Sequence, residues 1–218
     1  MSVKQKEMYA KGITPVESRA AFSLAGIYSL RMMGLFLILP VFALYAQHLI
    51  GVTPLLVGLA IGAYGLTQAL LQIPFGILSD HIGRKPVIIA GLLIFALGSA
   101  VAAQADTIWG VIIGRAIQGS GAIAAAVMAL AADLTQEHNR LKVMAVIGMS
   151  IGMAFALSLI LGPIINLWIG VPGIFWLTAV LALAGVVIAV FLVPDPKRSV
   201  FHRDTEAVPG QFGRVLAD

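Results

Sequence analysis

Six long apolar stretches leave this 218-residue sequence few folds to choose from. They span residues 21–46, 55–79, 87–103, 108–132, 143–167 and 174–193. Each is near the roughly 20 residues that a helix needs to cross a bilayer core. Backbone groups in lipid must satisfy their hydrogen bonds within a helix or a closed barrel, and the alternating polarity of barrel strands is not visible. The sequence predicts an all-α membrane protein of six transmembrane helices over residues 21–193, between a tail (1–20) and a linker (194–218).

The overall composition excludes several classes of function. Hydrophobic residues make up 60% of the chain and charged residues 11%, too little polar surface for a water-soluble globule. A soluble enzyme and a nucleic-acid binder are therefore not expected. The sequence has no cysteine, and no H-E-x-x-H pattern or His/Asp pair lies inside an apolar stretch. The catalytic residues of a membrane-embedded enzyme are therefore lacking, and we expect no metal or other cofactor.

The positive charges predict the orientation of the bundle. Twelve of the 14 lysines and arginines fall in the two tails and in the hairpins 80–86 and 133–142, whereas the three loops on the other side contain none. Lysine and arginine accumulate in cytoplasmic loops of membrane proteins. Both termini and both charged hairpins are therefore expected in the cytoplasm, and the lipid bilayer is the expected surrounding.

Two arginines remain, and both lie inside apolar stretches. A cation at the centre of a span costs roughly 2.5 to 3.5 kcal/mol on insertion scales, so Arg31 and Arg115 need partners or a polar cavity. Arg31 is expected to line a cavity, to contact a substrate or to pack against a neighbour. For Arg115, a cavity position and an extended side chain that reaches the outer surface both stay open.

Ordered patterns surround the charged hairpins. Residues 76–87 read GILSDHIGRKPV, residues 115–122 read RAIQGSGA, and Asp133 precedes Arg140 by seven positions. A plain basic hairpin would explain Arg84 and Lys85 but not the ordered Gly76, Asp80 and Gly83.

These patterns resemble the signatures of the major facilitator superfamily, namely G-x-L-[SA]-D-x-x-G-R-[RK], R-x-x-Q-G-x-G-A and D-x(6)-R. Nearly the whole chain resembles this family and, within it, the YajR-type branch, whose members are assigned to proton-driven efflux across bacterial inner membranes. The fifth stretch is similar to the family's antiporter motif, with two departures. Ser158 replaces a usual glycine, and the Gly-Gly after Pro163 is missing, so drug antiport is only suggested.

The resemblance implies an N-terminal six-helix bundle, built as a 3+3 inverted repeat, and three groups of site residues. In relatives, the arginine of the first motif contacts the aspartate of the second hairpin, which would pair Arg84 with Asp133 as a latch of the outward-open state. The expected substrate-cavity residues are Arg31, Gln68, Gln72, Arg115, Gln118 and Asn166. The expected latch residues are Gly76, Asp80, Gly83, Arg84, Lys85, Asp133 and Arg140. The expected helix-packing and antiporter-motif residues are Gly119, Gly121, Gly152, Ser158, Gly162 and Pro163.

The expected function is that of the N-terminal half of a secondary active transporter of a bacterial inner membrane, exporting small drug-like molecules against proton entry. Its expected partners are protons, the small-molecule substrate and a second six-helix bundle that this chain lacks. No carboxylate lies mid-span, so a coupling acid would belong to the other half or to a membrane edge. A passive facilitator or scaffold formed by homodimerisation, and an uptake carrier for a small metabolite, stay open as alternatives. A fragment of a longer reading frame is favoured over a natural half-transporter.

Overall fold

The computed structural model describes residues 12–194, and this part of the chain is helical throughout apart from short connections. Most of the predicted N-terminal tail and all but the first residue of the predicted linker lie outside the described residues. The helices are α1 (Pro15–Phe36), α2 (Leu39–Ala46), α3 (Pro54–Ile82), α4 (Arg84–Ala103), α5 (Ile108–Ser120), α6 (Ala124–Asp133), a 3-10 turn (Glu137–Asn139) and α7 (Arg140–Phe191).

Threonine side chains cap the starts of three helices. Thr14, Thr53 and Thr107 precede α1, α3 and α5, and each side chain accepts a hydrogen bond from a backbone N–H in the first turn. A cap of this kind satisfies one of the four free donors at a helix start. The caps help to fix the starts of these helices at Pro15, Pro54 and Ile108.

Five segments of the described residues are long and apolar enough to cross a membrane. The expected first and fourth stretches are each built from two helices in series, with breaks after Phe36 and Ser120. The five segments are Pro15–Ala46, Pro54–Ile82, Arg84–Ala103, Ile108–Asp133 and Glu137–Phe191.

The fifth segment is interrupted at Gly170. Its φ of 66° and ψ of 177° are not helical, and a β-carbon disfavours such angles. The predicted loop 168–173 therefore contracts to a single glycine, because only that residue departs from helical geometry. We call residues 140–169 the first limb of α7 and residues 171–191 its second limb.

Both limbs lie along α1, and they run in opposite directions. Later residues of the first limb contact later residues of α1. Later residues of the second limb contact earlier residues of α1. The chain therefore turns back on itself at Gly170. The hydrogen bonds that show this are Ser150 Oγ to Ala25 O (3.3 Å), Ser158 Oγ to Met33 O (3.2 Å), Thr178 Oγ1 to Gly34 O (3.0 Å) and Arg19 Nε to Leu192 O (2.8 Å).

The core of the bundle lies between α1, α4, α6 and α7, where Leu24, Leu92 and Leu130 are fully buried. Among the five segments, helix α3 has the smallest share of buried residues in its most apolar part. Its Leu55 and Ile73 are 81% and 71% exposed. One long face of α3 thus remains uncovered by the described residues.

The turn between α3 and α4 is tighter than the sequence predicted. We expected a loop over residues 80–86, but α3 continues to Ile82 and α4 begins at Arg84. Gly83 is the one residue between them, with a φ of 101° that an L side chain rarely adopts. Glycine can take this conformation at low cost, so the helix stops and restarts without a loop.

Candidate functional site

Arg84 joins α3, α4 and α6 at the α3–α4 turn. It forms an ion pair with Asp80, one helical turn back along the chain, and its Nε lies 3.5 Å from Asp133 Oδ2 at the end of α6. The structure thus brings together the arginine and both aspartates of the two hairpin patterns. Both carboxylates are partly exposed, Asp80 at 53% and Asp133 at 37%, against 21% for Arg84.

A buried hydroxyl completes this group. Arg84 Nη1 donates to Ser79 Oγ at 2.6 Å, and Ser79 Oγ donates to Gly76 O at 2.7 Å. Ser79 is 1% exposed, and it is not among the predicted site residues. The motif has serine or alanine at this position, which could have indicated it.

The other residues of the expected latch lie around this group. Gly76 faces α6, where an added β-carbon would lie 3.3 Å from the side chain of Ala125. Lys85 Nζ donates to Val193 O at 3.2 Å, which ties the turn to the end of α7. Arg140 is the first residue of α7 and its side chain is exposed.

Glu17 is a buried acid at the same end of the bundle. It is 2% exposed and accepts hydrogen bonds from the backbone N–H of Thr14 and Gln136 and from the side chain of Asn139. The carboxylate therefore fastens the start of α1 to the α6–α7 connection that follows Asp133. The sequence does not predict this contact, because Glu17 and Gln136 lie 119 residues apart along the chain.

Arg31 is completely buried in the middle of the bundle. Its Nη2 donates to Gln68 Oε1 at 3.2 Å and to Gly121 O at 2.9 Å. Its guanidinium carbon lies 5.7 Å from the ring centre of Tyr64 and 5.2 Å from that of Phe95. Gly121 follows the last residue of α5, where helix carbonyls lack partners and the dipole favours a cation.

Arg115 lies on the same aromatic ring. Its guanidinium carbon is 5.3 Å from the ring centre of Tyr64, and only 3% of the residue is exposed, which excludes the extended position at the surface in this conformation. Nε donates to Ala60 O at 3.3 Å and Nη1 to Gln118 Oε1 at 3.3 Å. We call Arg31, Tyr64 and Arg115 the arginine–tyrosine cluster. Tyr64 was not anticipated, because a tyrosine in an apolar span gives no local signal.

Gln118 links this cluster to α4. Its Nε2 donates to Ser99 Oγ at 2.7 Å, and Ser99 donates in turn to Phe95 O at 2.8 Å. Gln118 and Ser99 are both fully buried. Neither Arg31 nor Arg115 has a carboxylate of a described residue within 4 Å.

Two expected cavity residues stand apart from these contacts. Gln72 is half-buried on α3, one turn after Gln68, and its Oε1 has no donor among the described residues. Asn166 lies near the opposite end of the bundle. There it lines a cavity of about 360 Å³ together with Tyr45, His48 and the reversal at Gly170.

The expected packing residues divide into two groups. A β-carbon at Gly119 would overlap Tyr64 O, one at Gly121 would overlap Gly91 O, and one at Gly162 would lie 2.5 Å from Leu37 O. Ser158 donates to Met33 O at 3.2 Å. By contrast, a β-carbon at Gly152 meets nothing within 4 Å, and Pro163 is exposed.

A membrane-spanning helical bundle with buried cations and an ion-paired helical turn is typical of a transport protein. The chain belongs to the Major Facilitator Superfamily, whose family model matches residues 24–215. This confirms the resemblance drawn from the hairpin and span patterns. Because the relatives are transporters, it also confirms the prediction that the chain is not an enzyme.

Curated relatives support the same family. The chain is 53% identical over 206 residues to the inner membrane transport protein YajR of Escherichia coli K12, covering 94% of this chain and 45% of the relative. It is 44% identical over 185 residues to an uncharacterized transporter of Buchnera aphidicola from Schizaphis graminum, covering 85% of this chain and 47% of the relative. The chain therefore spans about half the length of these relatives.

Solved structures show the same fold. The human organic anion transporter MFSD10 superposes with a TM-score of 0.69 at 23% identity, over 83% of this chain and 48% of that one. The peptide transporter POT superposes with a TM-score of 0.64 at 18% identity, over 99% of this chain and 50% of that one.

Proposed function

We propose that this chain is the N-terminal bundle of a secondary active transporter that works by alternating access. The observation that carries the proposal is the position of Arg84, which holds both Asp80 and Asp133 at the α3–α4 turn. The half-length coverage of the relatives supports the view that a second bundle completes the transporter. In this reading the two bundles rock about a site between them.

The reversal at Gly170 supports a proposed count of six spans. A straight helix of 55 residues would be about 80 Å long at 1.5 Å per residue, far more than the roughly 30 Å of a bilayer core. The two antiparallel limbs of α7 each match the length of one crossing, which supports a proposed bundle of six spans in a 3+3 arrangement. The charge distribution supports the proposal that both termini lie in the cytoplasm. The proposed location is a bacterial inner membrane.

In the proposed latch, Asp80 is shared between Arg84 and a second bundle. Asp80 is paired with Arg84 yet keeps half of its surface exposed, so the same carboxylate can also contact a second bundle. Ser79 and Asp133 hold the guanidinium from the other sides. Protonation of an edge acid or loss of the Arg84 contacts would release the turn and favour the opposite conformation.

The proposed direction of transport is efflux of small drug-like molecules, and the proposed energy source is the proton gradient. Asp80, Asp133 and Glu17 are titratable acids at one end of the bundle that could take up the coupled proton. No protein-bound cofactor is needed, because the proton gradient supplies the energy. The absence of a carboxylate among the mid-span residues of the described chain favours a second candidate, a passive facilitator.

Transport in vesicles tests these proposals. The reading frame is continued past codon 218, and the resulting protein is reconstituted into vesicles with an imposed proton gradient. Coupled transport predicts that an added drug-like substrate accelerates collapse of the gradient, and that Asp80→Asn and Arg84→Ala each slow substrate flux at least about tenfold, as expected when a charged contact of roughly 1.4 kcal/mol or more is lost. Lys142→Gln, which removes an exposed charge near the same end, is the matched control.

The outcomes separate the candidates. Substrate flux that leaves the proton gradient unchanged identifies a facilitator and contradicts proton coupling. Flux that is unaffected by both Asp80→Asn and Arg84→Ala contradicts the latch.

A further inference from the structure

Two of the three nitrogens of the Arg31 guanidinium have no hydrogen-bond partner among the described residues. Nη2 contacts Gln68 and Gly121, but Nε and Nη1 are buried and have no hydrogen-bond acceptor among the described residues. A buried charge is normally paired and fully hydrogen-bonded, because burial removes its hydration. Nε and Nη1 of Arg31 are therefore available to an acceptor that enters the cluster.

The hydroxyl of Tyr64 is unpartnered in the same cluster. It is buried and has no hydrogen-bond partner among the described residues, although buried tyrosine hydroxyls usually find one. The ring of Tyr64 contacts the guanidinium groups of Arg31 and Arg115. Three donors thus remain free where two buried cations lie against one ring.

The arginine–tyrosine cluster has no negative charge to balance its two cations. No carboxylate pairs with either arginine within 4 Å among the described residues, so the potential in the cluster is positive. A carboxylate or phosphate supplies several acceptor lone pairs, and its hydrogen bonds to a guanidinium are about twice as strong as neutral ones. An anionic group would satisfy Arg31 and Tyr64 together.

Arg31 is better suited to bind a ligand than Arg115. Arg115 is held by Ala60 O and by Gln118, which is itself fixed by Ser99. Arg31 instead contacts Gln68, a half-buried and neutral acceptor on α3, the least covered of the five segments. Exchange of Gln68 Oε1 for a charged ligand oxygen would strengthen the contact and connect the cluster to the uncovered side of α3.

We propose that Arg31 and the hydroxyl of Tyr64 bind the anionic group, a carboxylate or a phosphate monoester, of the solute that this protein carries. This inference rests on the proposed transport function and names the class of its substrate as organic anions. It further assigns Arg115 to holding Tyr64 and Gln118 in place, without contact to the ligand.

Equilibrium binding tests the proposal without requiring transport. The 218-residue chain in lipid nanodiscs is titrated with benzoate and phenyl phosphate, and with benzamide and benzylammonium as neutral and cationic counterparts of similar size. Saturable binding of the two anions is expected, with at least tenfold weaker binding of the other two. Arg31→Gln should weaken anion binding about tenfold or more, and Tyr64→Phe, which keeps the ring and removes the hydroxyl, should weaken it a few-fold.

Lys142→Gln is the matched control, since it removes one exposed positive charge outside the cluster and should leave anion binding unchanged. Equal binding of benzamide and benzoate overturns the proposal. So does anion binding that survives in both Arg31→Gln and Tyr64→Phe, and the second variant keeps the test valid where the first fails to fold.

A second arm separates a solute from a carboxylate of the protein itself. The titration is repeated on the protein continued past codon 218. Benzoate binding that persists supports a solute site. Binding that disappears there, while the shorter chain still binds, shows that a side-chain carboxylate of the added segment fills the position and overturns the proposal. Anion binding without any flux in vesicles would contradict only the transport function.

Discussion

Three buried or half-buried arginines carry most of the chemistry at the residue scale, and they are stabilised in different ways. Arg84 has two carboxylates, whereas Arg31 and Arg115 rely on backbone carbonyls, glutamines and the face of Tyr64. A cation over an aromatic ring gains roughly 2 kcal/mol or more when desolvated. This is comparable with the cost of placing an arginine at the centre of a span, so aromatic faces explain much of how two such charges are tolerated.

The Gln118 contacts predict a stability difference. Gln118→Leu removes one hydrogen bond from Ser99 and one from Arg115, whose Nη1 then loses its buried acceptor, and an unsatisfied buried polar group costs roughly 1–3 kcal/mol. We expect thermal unfolding in detergent, followed by size-exclusion fluorescence, to shift to a clearly lower temperature. Gln104→Leu is the control, because Gln104 is exposed at the end of α4. Equal midpoints for the two variants would contradict the role of Gln118 as a buried link.

At the scale of elements, glycines determine where helices approach and where they turn. Gly83 and Gly170 permit two tight changes of direction at positive φ, and Gly119 and Gly121 let α5 approach α3 and α4 closely. The sequence predicted the helical stretches because their apolar runs are long. It predicted loops over 80–86 and 168–173 because charges and prolines stand there, yet one glycine replaces each loop. Composition does not reveal the backbone angle of a single residue.

Close approach at Gly119 predicts a steric cost. Gly119→Ala places a methyl group on the backbone carbonyl of Tyr64, which cannot move without shifting α3. Overpacking of this kind costs typically about 1–3 kcal/mol. Gly148→Ala is the matched control on α7, because a β-carbon there meets nothing within 4 Å. The expected result is a lowered unfolding temperature for Gly119→Ala alone, and an unchanged one for Gly119→Ala would show that the two helices are not in close contact.

At the scale of the whole molecule, the sequence predicted features that depend on residues close together in the chain better than contacts between distant ones. The helical class and the family followed from local patterns and are confirmed. The proximity of Arg84 and Asp133 was implied by the family motifs, and the structure brings the two residues to 3.5 Å. Tyr64, Glu17 and Ser99 were missed, because their contacts join separate helices and leave no trace in local spacing. The orientation of the termini stays a prediction from the charge distribution.

The uncovered face of α3 and the half-length match to the relatives make one claim central, namely that this bundle transports only together with a second one. The most direct measurement is substrate flux into vesicles under an imposed proton gradient, compared between the 218-residue chain and the protein continued past codon 218. The account predicts flux for the continued protein and none for the 218-residue chain. Flux by the 218-residue chain alone would contradict it and would identify a self-sufficient half-size carrier.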